Sequence, residues 1–381
     1  MKAFVIAGEP SGDKLGGSLM EGLRLRVPDI SFDGVGGTEM SSLGLTSLFP
    51  MDELSIMGIA EVLPKYFHLK RRIHQTAEAV LAARPDVLIT IDSPDFCLRV
   101  AKLVKIMRPD LRCVHYVAPT VWAWRPGRAD KMAKVIDHVL ALFPFEPPFM
   151  QAAGMDCDFV GHPVATEEIA TQDEADAFRA RIGGTGPLLL ALPGSRRGEV
   201  TRLAERFGET VGLVAKQHPD LKVVLPCAAP VAPLVRELTA NWPVSPVLID
   251  PNTDPDARET KKAAFRAADF ALAASGTVSL ELAAAGTPMV IAYDMNKVTR
   301  FMVKRLLRVD TVTLVNLVAE SRTVPEFLGE NCIPDRIAAS LEKVLLAPEA
   351  QREAMRLTME RLGADGPPPG QRAADAILAR L

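Results

Sequence analysis

Leu188–Val200, LLLALPGSRRGEV, decides the fold. The apolar run Leu188–Leu192 has the length of a buried strand, and Pro193-Gly194 ends it. Ser195, Arg196, Arg197 and Glu199 then open what reads as a long helix. A strand, a tight glycine turn and a helix start bearing a hydroxyl and a cation make a geometry that receives a phosphate. The N–H groups of the first turn point at the anion, and the helix dipole adds about half a positive charge. On this stretch alone an ordinary βα turn capped by Ser195 is an equal reading, so the rest of the chain has to decide.

The totals narrow the field. With 381 residues the chain exceeds the roughly 250–300 at which a single core stops growing, so two domains are expected. A formal net charge of −3 gives no broad positive field, which argues against nucleic acid as a partner. Cys97, Cys113, Cys157, Cys227 and Cys332 are scattered without a CxxC pair, so neither a zinc site nor a disulfide framework is expected. No window reaches the ~18 continuous apolar residues of a spanning helix. In MKAFVIAGE the acid at Glu9 arrives too early for a signal-peptide core, so a cytoplasmic protein is expected, with peripheral membrane contact left open.

The βα rhythm of the opening stretch recurs along the chain. In the first half, apolar strands are expected at Lys2–Ala7, Ser31–Val35, Asp86–Ile91, Arg112–Val117, Asp137–Phe143 and Asp158–Val160. The second half adds Leu188–Leu192, Lys222–Leu225, Val247–Ile249, Phe270–Ala273 and Met289–Ala292. Between the halves, Val164–Gly186 is polar and holds Gly183, Gly184 and Gly186, which places a boundary there. The expected domains are 1–165 and 166–340, followed by closing helices over 341–381 that Pro367–Gly370 interrupts.

Ligands of such α/β folds sit at the carboxyl ends of the strands. The first strand ends in Gly8-Glu9-Pro10-Ser11-Gly12-Asp13, which is not GxGxxG and carries acids that would repel a pyrophosphate. Ser11 or Asp13 suits a helix cap, whereas Glu9 is not needed for one. Another strand ends in Asp92-Ser93-Pro94-Asp95, where Pro94 keeps Asp92 in the turn and Asp95 is placed as the N-cap of the next helix. Trp122 and Trp124 fall in one loop, as if to build a wall. Asp156-Cys157-Asp158 spells DxD but precedes its strand, and Asp254-Pro255-Asp256 lies in a polar loop, so neither reads as a metal site. In the second half, Ser275, Gly276 and Thr277 open a helix, and Glu281 follows one turn along the same face. Hydroxyls and N–H groups suit a phosphate, and a carboxylate one turn later suits the ribose of the same nucleotide. Asn316 interrupts the apolar run Thr313–Val318 and is expected to face something polar.

Two stretches combine apolar and basic residues. One runs through Ile56, Met57, Ile59, Val62, Leu63 and Phe67 into Lys70, Arg71 and Arg72. The other holds Arg300, Lys304 and Arg305. Each suits an anionic lipid surface, or else a helix with a solvated basic face.

Particular strings go further. GEPSGD at Gly8–Asp13, ELSIMGIAEVL at Glu53–Leu63, DSPDF at Asp92–Phe96, APTVWAWR at Ala118–Arg125, FPFE at Phe143–Glu146, LPGSR at Leu192–Arg196 and SGTVSLE at Ser275–Glu281 run in order through nearly the whole chain. Together they resemble the lipid-A-disaccharide synthases. Two departures stand out: Pro10 in place of a small residue, and a longer, more charged Asp250–Lys262. The resemblance implies a GT-B fold: two Rossmann-like domains facing a central cleft, with C-terminal helices returning to the first domain or to a partner subunit. It implies an inverting transfer of 2,3-diacylglucosamine from its UDP derivative to 2,3-diacylglucosamine 1-phosphate (lipid X), giving a β-1′,6-linked disaccharide and UDP in lipopolysaccharide biosynthesis. Neither a cofactor nor an obligate metal is expected. The first domain would take the acceptor, with Ser11, Trp122 and Trp124 around it and Asp92 or Glu9 as the base. Ser195, Arg196, Ser275, Gly276, Thr277, Glu281 and Asn316 would hold the UDP-sugar. Acyl chains keep the substrates in a bilayer, so the basic stretches become docking surfaces on the inner face of the inner membrane, and a homodimer by C-terminal exchange is implied. Two rivals remain: a UDP-N-acetylglucosamine 2-epimerase-like isomerase, which would act on a UDP-sugar alone, and a non-catalytic sugar-nucleotide binder, which would show no turnover.

Overall fold

The computed structural model describes residues 1–54, 59–183, 185–295 and 307–381, and the side chains of all of these except 59–65. The chain divides into two units, Met1–Thr166 with Leu362–Leu381, and Glu167–Arg361.

The first unit is built on seven parallel strands: β1 (Lys2–Ala7), β2 (Ser31–Val35), β3 (Thr46–Ser47), β4 (Val87–Ile91), β5 (Arg112–Tyr116), β6 (His138–Ala141) and β7 (Asp156–Phe159). Their order is β3-β2-β1-β4-β5-β6-β7. The central strands are covered on both faces, which is why β1 and β4 read as unbroken apolar runs rather than alternating ones. Helix α1 (Pro10–Arg26) leaves β1, followed by α2 (Thr38–Ser42), α3 (Ile59–Ala83), α4 (Pro94–Met107), α5 (Gly127–Met132) and α6 (Pro147–Ala152). Phe4, Ile6 and Leu88 join one buried cluster with Ile73, Ala77 and Val80 of α3 and Phe96, Val100 and Val104 of α4. Alternate strand residues point the other way. On that opposite face α1 lies against Ile91, close enough that a Cβ on Gly16 would meet the Ile91 side chain at 3.1 Å.

The second unit has six parallel strands in the order β10-β9-β8-β11-β12-β13. They are β8 (Leu188–Leu192), β9 (Lys222–Pro226), β10 (Val247–Ile249), β11 (Phe270–Ala273), β12 (Met289–Tyr293) and β13 (Glu326–Leu328). The described helices are α7 (Gln172–Ile182), α8 (Arg197–Gln217), α9 (Ala232–Thr239), α10 (Ala257–Ala267), α11 (Val278–Ala285), α12 (Leu314–Ala319), α13 (Pro334–Leu346) and α14 (Glu349–Arg361). Both units are thus Rossmann-like. In each, strand order reverses at one point, between β1 and β4 in the first and between β8 and β11 in the second, and such a reversal opens a crevice at the strands' carboxyl ends.

The closing segment divides where the expected 341–381 unit did not. Helix α14 stays with the second unit because the Gln351 side-chain amide bonds both backbone groups of Met289, at 2.8 and 3.0 Å. Only Leu362–Leu381, with α15 (Pro369–Leu378), joins the first unit. There α15 crosses α1 at backbone contact, since a Cβ on Gly22 would lie 2.5 Å from the Gly370 carbonyl oxygen. Arg26 clamps the crossing by donating two bonds to Asp375, at 2.7 and 2.8 Å. The Asp156-Cys157-Asp158 string lies within β7 rather than before it. Its carboxylates pair with Arg112, His138 and Arg380, so they hold the sheet edge and the C-terminus.

Candidate functional site

In the second unit both glycine turns open on one cavity of about 420 Å³, beside the reversal between β8 and β11. Gly194, Ser195 and Arg196 line it from the end of β8, and Ser275, Gly276, Thr277 and Glu281 line it from the end of β11. Gly194 has φ +117°, and a Cβ there would strike the Glu199 carboxylate at 2.6 Å, so the turn needs glycine twice over. The N-cap of α8 is Arg196, not Ser195. Glu199 does the capping, accepting from the backbone N–H groups of Ser195 and Arg196 at 3.3 Å each. Ser195 is exposed, and the Arg196 side chain is 68% exposed beside the cavity. Arg197 is exposed as well, outside the lining. Thr277 is the N-cap of α11, and Glu281 lies in its first turn. The sequence reading missed Lys261 of α10, whose ammonium donates to Glu281 at 2.5 Å across the cavity wall. Its only signal was the unusually charged stretch Asp250–Lys262 in which it lies.

In the first unit the loops after β1 and β4 meet at the strand reversal. Ala7 pairs with Ile91, so Glu9 and Asp92 leave adjacent strand ends. The loops touch, since a Cβ on Gly8 would lie 2.5 Å from the Ser93 hydroxyl. Asp92 and Ser93 both take left-handed backbone conformations, with φ +49° and +43°. Consecutive strained residues of this kind cost about 1–3 kcal/mol each and cluster where geometry serves function. The N-cap of α4 is Ser93, so Asp95 sits in the helix's first turn instead of capping it. Glu9 is the N-cap of α1 through its backbone, and its side chain makes no capping bond. Ser11 is exposed in the first turn of α1. Asp13 is buried and caps a different helix, accepting from the N–H groups of Gly37, Glu39 and Met40 at the start of α2.

The tryptophan loop leaves β5, and its neighbour leaves β6. Trp122 packs edge-on against Phe145 at 5.1 Å and donates its indole N–H to Glu146 at 3.3 Å. The other Glu146 oxygen accepts from the N–H groups of Leu142 and Phe143. Burial pushes this carboxyl up to about 7. Glu146 therefore ties the two loops together, a role that nothing in FPFE alone disclosed. Trp124 is partly exposed, donates to the Thr120 hydroxyl at 3.2 Å and carries the Arg125 guanidinium over its ring.

Two expected site residues have partners within the chain itself. Asn316 is buried and does not line the cavity. Its amide donates to Thr311 and the Val324 carbonyl and accepts from the Val324 N–H, so the polar thing it faces is the chain itself. Arg72 is engaged within the first unit: it donates to both Glu53 oxygens at 2.7 Å and stacks over Phe49. Phe67 is 82% exposed and Lys70 and Arg71 are exposed on the same helix. Ile56, Met57, Arg300, Lys304 and Arg305 lie outside the described residues, as do the side chains of Ile59, Val62 and Leu63. Among the described residues no cluster of three or more metal-ligating side chains forms, and no helix is long and apolar enough to cross a membrane.

Comparison with known proteins bears on the fold and the family. Among solved structures, the chain is similar to a putative UDP-N-acetylglucosamine 2-epimerase from Listeria monocytogenes, with TM-score 0.63, 15% identity and 99% and 95% of the two chains covered. The UDP-N-acetylglucosamine 2-epimerase from Neisseria meningitidis bound to UDP-GlcNAc gives 0.63 and 14%, over 100% and 99%. At such identities the likeness is one of fold. Sequence relatives are far closer. The lipid-A-disaccharide synthase of Ruegeria pomeroyi is 65% identical over 384 residues, covering 100% of this chain and 96% of that protein. That of Rhodospirillum centenum is 46% identical, covering 98% and 93%. A family model described as Lipid-A-disaccharide synthetase matches residues 3–376. With a family model over almost its whole length and full-length relatives at these identities, the chain belongs to the lipid-A-disaccharide synthase family.

Proposed function

We propose that the second unit holds the UDP-sugar and the first unit presents the acceptor and the base. The overall activity follows from the family: the chain is a glycosyltransferase that forms the lipid A disaccharide in lipopolysaccharide biosynthesis. The donor is then UDP-2,3-diacylglucosamine and the acceptor lipid X. Asp92 or Glu9 takes the proton of the acceptor's 6-hydroxyl as its oxygen attacks the sugar's anomeric carbon, opposite the diphosphate. The bond to the diphosphate breaks with inversion, and UDP departs. Negative charge grows on the leaving group, and the helix starts at Arg196 and Thr277, with the Arg196 guanidinium, supply the opposing field. That field does the work without a metal. Glu281 accepts from the ribose hydroxyls.

The observation that carries this reading is the single cavity onto which both glycine turns and Glu281 open. A phosphate end and a ribose end within one pocket fit a nucleoside diphosphate better than either turn alone. The measurement that tests it is UDP release from UDP-diacylglucosamine with and without lipid X. Release that depends on lipid X, with disaccharide formed, is expected. Conversion of the UDP-sugar alone to an epimer would overturn it, and so would tight UDP binding with no turnover.

The location belongs to the same proposal. Two-chain substrates stay in a bilayer, because each buried CH₂ adds about 0.8 kcal/mol of membrane affinity. The enzyme works on the cytoplasmic face of the inner membrane as a peripheral protein, with Phe67, Lys70 and Arg71 of α3 at the contact. A homodimer would arise if α15 took a partner's α1 in place of its own.

A further inference from the structure

Lys261 and Glu281 stand on neighbouring helices, α10 and α11, and both line the nucleotide cavity. The ammonium donates to one Glu281 oxygen at 2.5 Å and lies 5.1 Å from the centre of the Phe265 ring, which lines the same wall. The adjacent Lys262 is turned elsewhere, onto Glu259 and Glu168. A carboxylate only accepts hydrogen bonds, and an ammonium has three protons to give. With one oxygen held by Lys261, Glu281 has its other oxygen for a hydroxyl proton, and the ammonium has protons left for a hydroxyl oxygen. A vicinal diol satisfies both at once.

We propose that Lys261 is a specificity-determining positioning residue: it fixes the Glu281 carboxylate for a ribose diol and so sets a preference for ribonucleoside over 2′-deoxyribonucleoside diphosphates. This rests on the reading of Glu281 as the ribose acceptor. A surface ion pair alone would not distinguish the two sugars.

Calorimetric titration of the full chain with UDP and with 2′-deoxy-UDP tests it. The unsubstituted chain should bind UDP roughly tenfold more tightly, the worth of one hydrogen bond to a charged group. Lys261→Met should bring the two affinities within about twofold by weakening UDP, and Lys261→Arg should restore most of the gap. Glu281→Gln should also close it. Both side chains are more than a third exposed, so the variants fold. If Lys261→Met keeps the full preference while Glu281→Gln loses it, the proposal for Lys261 falls and the ribose reading stands. If Glu281→Gln keeps the preference, or the unsubstituted chain shows none, the ribose reading falls and the proposal with it.

Discussion

Trp122 donates a hydrogen bond from its indole N–H to Glu146, and through that bond the loop after β5 is fastened to the loop after β6. The carboxylate is buried and also accepts two backbone N–H groups, so the two loops hold one arrangement. Phe143 and Phe145 stack at 5.4 Å beside it, which extends the aromatic surface.

The Glu146 carboxyl is pushed up to about 7 by burial, above the ordinary glutamate value of about 4.3. Between these values the folded chain keeps a proton that the unfolded chain has lost. This group's contribution to stability is therefore complete below about pH 4.3 and is lost as pH rises through about 7. Melting temperatures of the unsubstituted chain and Glu146→Gln should accordingly diverge with pH from 5 to 8, the unsubstituted chain losing more. A difference that does not vary with pH would show that Glu146 is not titrating there.

Asp92→Asn and Glu9→Gln separate chemistry from binding. Whichever carboxylate is the base, its amide variant should lose about 10²–10⁴ in kcat. UDP affinity should stay unchanged, since neither lines the second unit's cavity. Full turnover in both variants would remove them from the reaction.

Arg196→Ala should lower the rate by roughly 10²–10³, the cost of losing one preorganised donor to developing charge. Its side chain is 68% exposed, so the melting temperature should not move. An active variant would contradict the leaving-group role.

Asn316→Ala should do the reverse. Three hydrogen bonds that brace Thr311 and Val324 would be lost, and the fold should weaken by about 2–3 kcal/mol. The KM for the UDP-sugar, measured well below the melting temperature, should hold. A raised KM with unchanged stability would return Asn316 to the ligand.

Sedimentation with anionic vesicles addresses the membrane. Phe67→Ser combined with Lys70→Glu and Arg71→Glu should abolish salt-sensitive binding, because about 1 kcal/mol per basic residue is removed along with an exposed aromatic. Arg72→Gln should lower stability instead, through its lost bonds to Glu53. Equal binding by the triple variant would move the contact elsewhere.

Much of the fold was legible because buried parallel strands write themselves as apolar runs. Leu188–Leu192 and Phe270–Ala273 match their strands residue for residue. β3 and β13 were not legible: one is two residues long, the other is only partly buried, and both lie at sheet edges. At the site, the glycine turns showed in the sequence because their geometry is local. Asp13, Glu146 and Lys261 did not, because each acts on a partner from another segment, 20 or more residues away for all but the backbone bonds of Glu146. Asn316 shows the same limit: its polarity was readable, but the identity of what it faces is a tertiary fact.

The first unit is discontinuous in sequence, and Gly22 and Gly370 are where its two pieces close on each other. A ribosome adds roughly 5–20 residues per second, so the face of α1 that receives α15 waits many seconds while all of Glu167–Arg361 is made. During that interval the nascent chain carries that face of α1, with Ser18, Gly22 and Arg26, uncovered. Leu362–Leu381 is the piece that seals it, so a chain cut near Leu362 would hold every strand of the first unit and still lack its closing helix.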